Sequence, residues 1–564
     1  MLAERAGGRP LGQSEAASVF AETEGNPLFV VEALRAGWTG DGRERISPKV
    51  QAVLESRLAQ LSAPARDLVG LAAAIGREFT TDLLAAAADA DEETLVCGLD
   101  ELWRRRIVRE HGADSYDFSH DKIREAAYGA LSPARARHHH LRVARSLERS
   151  RAGDVDAVSG QIAVHFDRAG LAGDAVAWYV QAAEAAQRLH ASADAVRLLE
   201  RALELVQRLP ASTDRAVLEL RLLTALPAPL VVVEGYSSDR MAAVHERGLE
   251  LAGALGVEPE APLVRSLALA SLTRGDFEAA RAFGEQLRAR GDRERDDVLW
   301  VESAYVLGIA AYWQGRLETA RAHFEAAIER CRPEQRAAHL LGYAQDPEVI
   351  CLTRLAHALW LLGRDDQARR SRDAGLALAE DRGHPYSLAV ATIWAAMLAL
   401  DQRDEGRLRD DVQALEATEP AHGPVQHRLA AEALAGLVDV LDGRADEGVQ
   451  RVRRVLDEAR NGEPAAPGFH AVIMRILLEA CARAGADQAG LAAADEMLEM
   501  GRGAQLWESE TRRLRAEFLA ALGATPREVE AELARSLGVA RRQGARSLEL
   551  RTHESLDRLR AGTL

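Results

Sequence analysis

Two kinds of residue cluster in this 564-residue sequence have types and spacing that suggest chemistry. The first is the run His138-His139-His140, which resembles a metal-binding tract. Consecutive residues on a helix point about 100° apart, so three adjacent imidazoles cannot converge on one ion. We therefore expect a solvated helix surface at this run, and we assign no metal ligand.

The second kind is the aspartate pair, at Asp365-Asp366 and at Asp410-Asp411. Two adjacent carboxylates could serve acid/base catalysis or metal binding. In a helical protein they are usually surface charges or residues at helix starts, where they interact with the helix dipole. No Ser/His/Asp or Cys/His arrangement has a recognisable local signature either. We assign no catalytic residue.

The four cysteines, Cys97, Cys331, Cys351 and Cys481, lie far apart and form no CxxC pair. Neither a zinc site nor a disulfide framework is indicated. Buried thiols in a reducing cytosol are the simpler interpretation.

A phosphate-binding loop is also missing from the sequence. The only lysines are Lys49, which follows Pro48, and Lys122, which follows Asp121, so neither belongs to a Gly-Lys-Ser/Thr core. That loop's lysine and backbone N–H groups neutralise the nucleotide phosphates, and its hydroxyl holds magnesium. We therefore expect no ATP hydrolysis by this chain alone and no cofactor, unless a P-loop core completes it and supplies an ATP or ADP site.

Bulk charge and hydropathy restrict the partners further. The formal net charge is −16, which disfavours nonspecific binding to nucleic acid and favours protein partners. The longest apolar stretch, 388–400, is shorter than the roughly 20 residues of a membrane span, and no signal-peptide pattern precedes it. We expect a cytoplasmic protein without a membrane segment.

Turn and linker residues suggest three parts. Two short helices around Gly25-Asn26-Pro27 end at a Gly/Asp-rich linker, so residues 1–45 form a first segment. Residues 46–152 predict a helical domain with a β-hairpin around His111–Asp114, a combination that suggests a winged helix. Residues 160–564 show helix-length apolar segments with Gly or Asp at the breaks and hardly any strand pattern.

The third part contains one clear repeat unit, at residues 304–328. Its residue spacing is that of a tetratricopeptide repeat, a pair of antiparallel helices packed through small and large side chains. The defining positions are Leu307, Gly308, Gly315, Ala320, Phe324 and Ala327. Further Gly-centred turns at Gly275, Gly363, Gly443 and Gly485 lie about 40 residues apart or twice that. The sequence therefore predicts an all-α fold, apart from the small wing, in which about eight or more helix pairs form a right-handed α-solenoid whose groove binds a protein or peptide.

Several passages resemble the bacterial signal-transduction ATPases with numerous domains. They are TEGNPLFVVEALR at 23–35, YDFSHDKIREAAYGAL at 116–131, VVVEGYSSDRMAAVHERGLELA at 231–252 and ARRQGARSLELRTHESLDRL at 540–559. The last two resemble members linked to adenylate or guanylate cyclases. In that family an ATPase core precedes a helical lid, a winged helix and a helical-repeat sensor. The resemblance implies that this sequence begins at the lid, with an ATPase or cyclase module absent or supplied in trans.

The same resemblance implies roles for a few residues. Gly25, Asn26 and Pro27 match the lid turn that lies against the adenine of the nucleotide, although the same residues also make an ordinary helix start. His120, in Ser119-His120-Asp121, matches a histidine that contacts the β-phosphate of ADP, although it could also pack or cap the next helix. His140 matches a histidine that precedes the family's next helix, which suggests packing.

DNA binding is the main alternative to a protein-binding role. Residues 101–151 contain twelve Lys/Arg and seven Asp/Glu, so a winged helix there would carry a local charge of +5. Against this, the arginines at 104–106 are consecutive and fan around a helix instead of forming one stripe. We therefore expect a non-catalytic signalling or regulatory scaffold, with a transcriptional regulator or a fragment of an ATP-binding cyclase-linked regulator as alternatives.

Overall fold

The structure is a computed structural model that describes residues 48–112, 114–150, 155–417, 425–461 and 467–563. It divides into two compact units. One comprises the described residues of Met1–Ala185 with Glu204–Leu209, and the other comprises those of Ala186–Leu203 with Pro210–Leu564.

The first unit begins with helices and a small antiparallel sheet. In chain order the elements are α1 (Pro48–Ala59), α2 (Ala63–Ile75), β1 (Glu78–Thr80), α3 (Thr81–Ala87), α4 (Glu92–Arg104), β2 (Val108–Glu110), β3 (Ser115–Phe118), α5 (Asp121–Gly129) and α6 (Pro133–Ser150). The strand order is β1-β3-β2. Val108 pairs with Phe118 and Glu110 with Tyr116, so the hairpin predicted around His111–Asp114 is confirmed. The third strand, β1, was not expected.

Side-chain caps fix the starts of several of these helices. Ser62, Thr80 and Asp91 each accept a hydrogen bond from a backbone N–H in the first turn of the helix that follows. The sheet packs onto the helices through Phe79 and Phe118, whose rings meet edge to face at 6.0 Å. These local signals place the strands where the hydrophobic pattern alone is weak.

The chain continues as a long series of helices. These are α7 (Ser159–Ala169), α8 (Ala172–Arg188), α9 (Ser192–Gln207), α10 (Thr213–Ala225), α11 (Pro227–Glu234), α12 (Asp239–Leu255), α13 (Ala261–Thr273), α14 (Phe277–Glu294), α15 (Asp297–Trp313), α16 (Leu317–Arg330), α17 (Arg336–Tyr343), α18 (Pro347–Leu361), α19 (Asp365–Arg382) and α20 (Pro385–Gln402). They are followed by α21 (Glu405–Ala417), α22 (Val425–Leu441), α23 (Ala445–Asn461), α24 (Pro467–Ala484), α25 (Asp487–Glu499), α26 (Glu508–Ala521), α27 (Pro526–Gln543) and α28 (Arg546–Arg560). Among the described residues, 3-10 turns lie at Asp156–Val158, Pro333–Gln335 and Gly501–Trp507.

Neighbouring helices in this series pack as pairs, which confirms the predicted helical-repeat architecture. The pairs α14/α15, α15/α16, α18/α19, α22/α23 and α26/α27 make some of the most extensive contacts in the second unit. In the pair α15/α16, a Cβ at Gly308 would lie 2.6 Å from the Phe324 ring, so the missing side chain lets the two helices approach closely.

A left-handed backbone residue ends the first helix of each of several pairs. Gly275, Gly315, Gly363, Gly443 and Gly485 all have positive φ, between 66° and 89°. Glycine adopts this conformation without a Cβ clash, which is why the glycines mark the turns. Midway between Gly363 and Gly443 the same position is held by Arg403, with φ 57°. Because Arg403 takes the place of a glycine at this turn, the sequence interval between Gly363 and Gly443 is about twice the others.

The array also contacts itself across long stretches of sequence. The Ser547 hydroxyl donates to the Trp360 carbonyl, 187 residues away, at 2.5 Å, and the Arg551 guanidinium donates to the Asp401 carbonyl. Helix α18 thereby packs against α28, and α13 packs against α24. Repeat arrays usually make contacts only between neighbours, whereas these contacts join helices that are far apart in the array.

No single helix among the described residues is long and apolar enough to cross a membrane. The bent pair Thr213–Ala225 and Pro227–Glu234 meets that requirement by length and composition only.

Candidate functional site

One cavity of the second unit has a volume of about 930 Å³, near the upper end of the range of about 300–1,000 Å³ for ligand pockets. We call it the basic cleft. Its cationic and imidazole side chains are Arg188, His190, Arg336, Arg382, His384, His427, Arg428 and Arg451. Three glutamates, Glu334, Glu416 and Glu432, also line it. Its apolar floor includes Pro229, Val232, Leu340, Leu341, Ile393 and Ala431.

One buried carboxylate positions two of these arginines. Asp346 is 1% exposed and accepts from the Arg382 guanidinium at 2.6 and 2.7 Å, and its Oδ2 lies 3.4 Å from Nε of Arg336. The same carboxylate accepts from the backbone N–H of Glu348, at the start of α18. The wall of the cleft is therefore pre-organised by a charge-assisted hydrogen-bond network.

The histidines of the cleft are uncharged at neutral pH. The rings of His190 and His384 lie 5.0 Å apart, and His384 Nδ1 is 2.8 Å from the Ser387 hydroxyl. Burial, together with the neighbouring His190, lowers the pKa of His384 to about 4. Burial and the charge of Arg336 also lower the pKa of His190. Arginine therefore carries the positive charge of the cleft at pH 7.

A second cavity, of about 400 Å³, shares Tyr386, Ile393 and His427 with the basic cleft. We call it the aromatic cavity. Six aromatic side chains line it, namely Tyr236, Phe277, Tyr305, Trp313, Tyr386 and Trp394. It also contains two arginines, Arg274 and Arg354, and none of its described lining residues is an aspartate or a glutamate.

A buried arginine fixes one wall of this cavity. Arg265 is 2% exposed and donates to Glu302 at 3.0 Å, to the Tyr236 hydroxyl at 2.5 Å and to Gln345 at 2.8 Å. The Tyr305 hydroxyl donates to the same glutamine oxygen. Each buried polar group thus restrains the next, which holds the tyrosines in place.

A second buried network, the Arg475 cluster, connects four helices of the array. Its members are Asp401, Arg475, Glu479, Glu510, Arg513 and Arg551. Arg475 is fully buried and lies 2.7 Å from Asp401, 3.2 Å from Glu479 and 3.9 Å from Glu510. Burial alone would raise the pKa of Asp401, but the charge of Arg475 and a hydrogen bond with His357 lower it to about 2. Burial would also raise the pKa of Glu510, but the positive charges of the nearby arginines, above all Arg513, lower it.

The residues with predicted nucleotide roles are only partly within the described chain. Gly25, Asn26 and Pro27, with the rest of segment 1–45, lie outside the described residues. His120 is half-buried and sits at the N-cap position of α5, where its side chain makes no capping hydrogen bond. Its proposed contact with a phosphate stays a prediction.

The repeat-defining residues lie together in one helix pair. Ala320, Phe324 and Ala327 of α16 are 0% exposed. Half-buried Leu307 packs towards Gly284, and Gly315 makes the turn between the two helices. These residues are therefore part of the packing and not part of either cavity.

The expectation of a solvated surface at the histidine run was wrong for His139, whereas His140 is buried, which agrees with the packing that the resemblance implied for it. His138 is exposed, but His139 and His140 are 1% and 0% exposed. His140 lies 2.7 Å from the Tyr128 hydroxyl and 2.9 Å from His165 Nδ1. Residues 100° apart on a helix buried on a broad face cannot all face solvent. Within the described part of the chain no cluster of three or more His, Cys, Asp or Glu side chains could hold a metal ion.

The surface interpretation also fails for Asp411, which is 3% exposed and paired with Arg407 at 2.8 Å. Burial raises the pKa of Asp411 to about 6. It belongs to no metal-binding cluster among the described residues.

Several arginines of the basic region 101–151 form ion pairs with neighbouring acids. Arg109 binds Asp117 through two hydrogen bonds at 2.7 and 2.8 Å, and Arg104 lies 2.5 Å from Asp100. Arg135 pairs with Asp67 at 2.7 Å. DNA binding by this region stays an alternative prediction.

Sequence reasoning missed Arg354, the buried arginine of the aromatic cavity. A signal was present, because Arg354 and His357 interrupt α18, which is otherwise almost wholly apolar and buried. Charged residues inside such a helix need a specific reason to be there. They are also three positions apart, which places them on one side of the helix.

No protein-family model matches the chain. An uncharacterised protein of Rhizobium meliloti (strain 1021) is 24% identical over 568 residues, which cover 95% of this chain and 53% of that protein. The chain thus spans about half the length of the curated relative that it matches.

Two solved structures share its helical character. One is a signal-transduction ATPase with numerous domains and a tetratricopeptide repeat sensor from Pyrococcus horikoshii, at 13% identity, with a TM-score of 0.44 over 98% of this chain and 73% of that chain. The other is the Cut9-Hcn1 hetero-tetramer of the APC/C, at 13% identity, with a TM-score of 0.42 over 78% of this chain and 75% of that chain. At these TM-scores the likenesses add nothing to the fold that the helices themselves define.

Proposed function

We propose that this chain acts by recognition, without catalysis, and that its repeat unit holds an extended acidic segment of a partner protein in the basic cleft. The observation that carries this function is the composition of the cleft. Five arginines and three glutamates surround an apolar floor in a volume of about 930 Å³. Such a surface attracts acidic side chains at its rim and buries apolar ones at its floor. We expect this recognition to take place in the cytoplasm.

A regulatory role would connect the repeats to an effector. We interpret the helices and three-stranded sheet of residues 63–118 as a winged helix that passes the binding event to an ATPase or cyclase module outside this chain. The order helix-strand-helix-helix-strand-strand supports this interpretation. In such an assembly a P-loop core in trans would give Pro27 and His120 contacts with nucleotide.

Blocking the cleft tests the recognition function. Ala337 and Ala338 are neighbours on α17 and both are exposed, but only Ala337 lines the cleft. The variant Ala337→Trp should fill the cleft, while Ala338→Trp adds the same bulk outside it. Peptides selected from a random display library against the wild-type chain should be rich in Asp and Glu. Fluorescence polarisation should show binding at least about tenfold weaker to Ala337→Trp and unchanged binding to Ala338→Trp, because one blocked anchor costs about 1.4 kcal/mol or more.

Two results would count against this function. Selected peptides could carry no excess of acidic residues, or they could bind both tryptophan variants as tightly as the wild type. Either result would show that the cleft is not the surface that recognises partners.

A further inference from the structure

Arg354 differs from the other deeply buried arginines of the repeat unit. Arg265, Arg475 and Arg513 each lie within 3.0 Å of a buried carboxylate, and Arg372, which is 8% exposed, lies 2.9 Å from the exposed carboxylate of Asp373. Arg354 is 8% exposed and forms no ion pair with any acid among the described residues, and its Nε and Nη1 atoms have no hydrogen-bond partner. A buried charge without a counterion is costly, so its retention calls for a partner that binds from outside the chain.

Aromatic rings hold the Arg354 guanidinium beside the aromatic cavity. Its central carbon lies 3.3 Å from the centroid of the Trp394 ring and 5.6 Å from that of Tyr312. Arg354 and Trp394 both line the cavity. Cation–π contacts orient the guanidinium, and its Nε and Nη1 donors still lack the hydrogen-bond partners that an anion could supply.

The surroundings of Arg354 keep it charged and favour a negative ligand. Burial lowers its pKa to about 10, which leaves the guanidinium protonated at neutral pH. Arg274 supplies a second positive charge at an exposed position of the lining, and Gln345 and Gln426 supply amide groups. With no acidic side chain in the described lining, nothing in the cavity competes for these donors.

We propose that the aromatic cavity binds a small organic anion with a planar apolar body, whose carboxylate or phosphate group lies on Arg354 while its body packs among the aromatic rings. The volume of about 400 Å³ suits a small ligand, and six aromatic side chains give apolar walls for a flat one. The anionic group completes the hydrogen bonds of the buried guanidinium. This ligand is distinct from a peptide in the basic cleft, so the two binding events can be tested separately.

Calorimetric titration of the full chain tests this site with four probes. 2-Naphthoate and 2-naphthyl phosphate distinguish the two anionic groups, 2-naphthamide keeps the planar body without the charge, and inorganic phosphate keeps the charge without the body. We expect saturable binding of at least one naphthyl anion, and binding at least tenfold weaker for the amide and for inorganic phosphate. Whichever naphthyl anion binds more tightly identifies the group that Arg354 prefers.

Variants locate the binding. Arg354→Gln and Arg354→Met should each weaken the naphthyl anion at least tenfold. Arg288→Gln is the matched control, because Arg288 also stacks on a tryptophan, with its central carbon 3.8 Å from the Trp300 centroid, but lines neither cavity. The control should bind like the wild type. Naphthyl-anion binding should also raise the melting temperature of the wild type and leave those of both Arg354 variants unchanged.

Several outcomes would overturn the site. The wild type could bind neither naphthyl anion, or it could bind 2-naphthamide or inorganic phosphate as tightly as the naphthyl anions. A folded Arg354 variant could also bind the naphthyl anion as tightly as the wild type does. The probe comparison uses the wild-type chain alone, so it decides the question even where an Arg354 variant does not fold. Failure of the peptide experiment in the basic cleft would leave all these outcomes unaffected.

Discussion

Removing Arg475 should destabilise the repeat unit strongly. In Arg475→Met the apolar side chain replaces the guanidinium, and the carboxylates of Asp401, Glu479 and Glu510 lose a shared partner. Arg475 is fully buried, so water cannot replace the lost interactions. Breaking a buried ion pair from one side costs about 3–5 kcal/mol. We expect a loss in the free energy of unfolding of that size at pH 7.5, measured by urea denaturation with circular dichroism.

The control is Arg321→Met, which removes an arginine from the surface of α16. Arg321 lies 2.7 Å from Glu318 and 2.6 Å from Glu325, so it also bridges two acids. Solvent screens these pairs, and we expect a loss below about 1 kcal/mol. Comparing Arg475→Met with Arg321→Met separates the effect of burial on stability from the effect of the number of ion pairs.

The deficit of Arg475→Met should also depend on pH. In the wild type the pKa of Asp401 is lowered to about 2, from 3.8, so its stabilising contribution is complete above pH 4 and is lost as the pH falls towards 2. Without Arg475, burial should raise that pKa above 3.8, so the ionised carboxylate destabilises the variant as the pH rises. The loss in the free energy of unfolding caused by Arg475→Met should therefore be smaller at pH 4.5 than at pH 7.5. A deficit below 1 kcal/mol at pH 7.5, or one that does not change with pH, would refute the role assigned to the cluster.

Four further substitutions are expected to change stability in predictable directions. Asp411→Asn should stabilise the protein by about 1–3 kcal/mol at pH 7.5, because burial raises the pKa of Asp411 to about 6. This gain in the free energy of unfolding should disappear near pH 4, as urea titrations at the two pH values would show. Gly308→Ala should destabilise the protein by about 1–3 kcal/mol, because the added Cβ overlaps the Phe324 ring. Gly253→Ala has open space around its Cβ and should stabilise the protein by about 0.5–1 kcal/mol in the same assay. Arg403→Gly should raise stability by up to about 1 kcal/mol, because it relieves a left-handed conformation at a non-glycine residue; an unchanged or lower urea midpoint would contradict this.

Local patterns were enough to predict the helix pairs of the array. The spacing of Gly308, Ala320 and Phe324 reports contacts within one hairpin, and these contacts depend on residues close in sequence. The turn at Arg403 was missed because arginine carries no signal for a left-handed conformation. Surrounding packing imposes that conformation, and sequence periodicity does not record it.

The cavities could not be predicted in the same way. Arg354 and His427 come from helices that are far apart in sequence, and both line the aromatic cavity through the tertiary arrangement of the array. Polar residues in an apolar helix indicate that a polar group is buried there, but they do not indicate which side chains of other helices contact it. His139 shows the converse error, because a polar run suggested solvent where one side of α6 packs inward.

The contacts of α28 with α18, described above through Ser547 and Trp360, bear on how the protein folds. Arrays whose repeats contact only their neighbours can nucleate anywhere and grow from that point, and they tolerate fraying at one end. Contacts across 187 residues raise the contact order, which slows folding because a long loop must close before the contact forms. They also connect the amide-exchange behaviour of distant helices, so opening near α28 should expose amides in α18 to exchange on the same timescale.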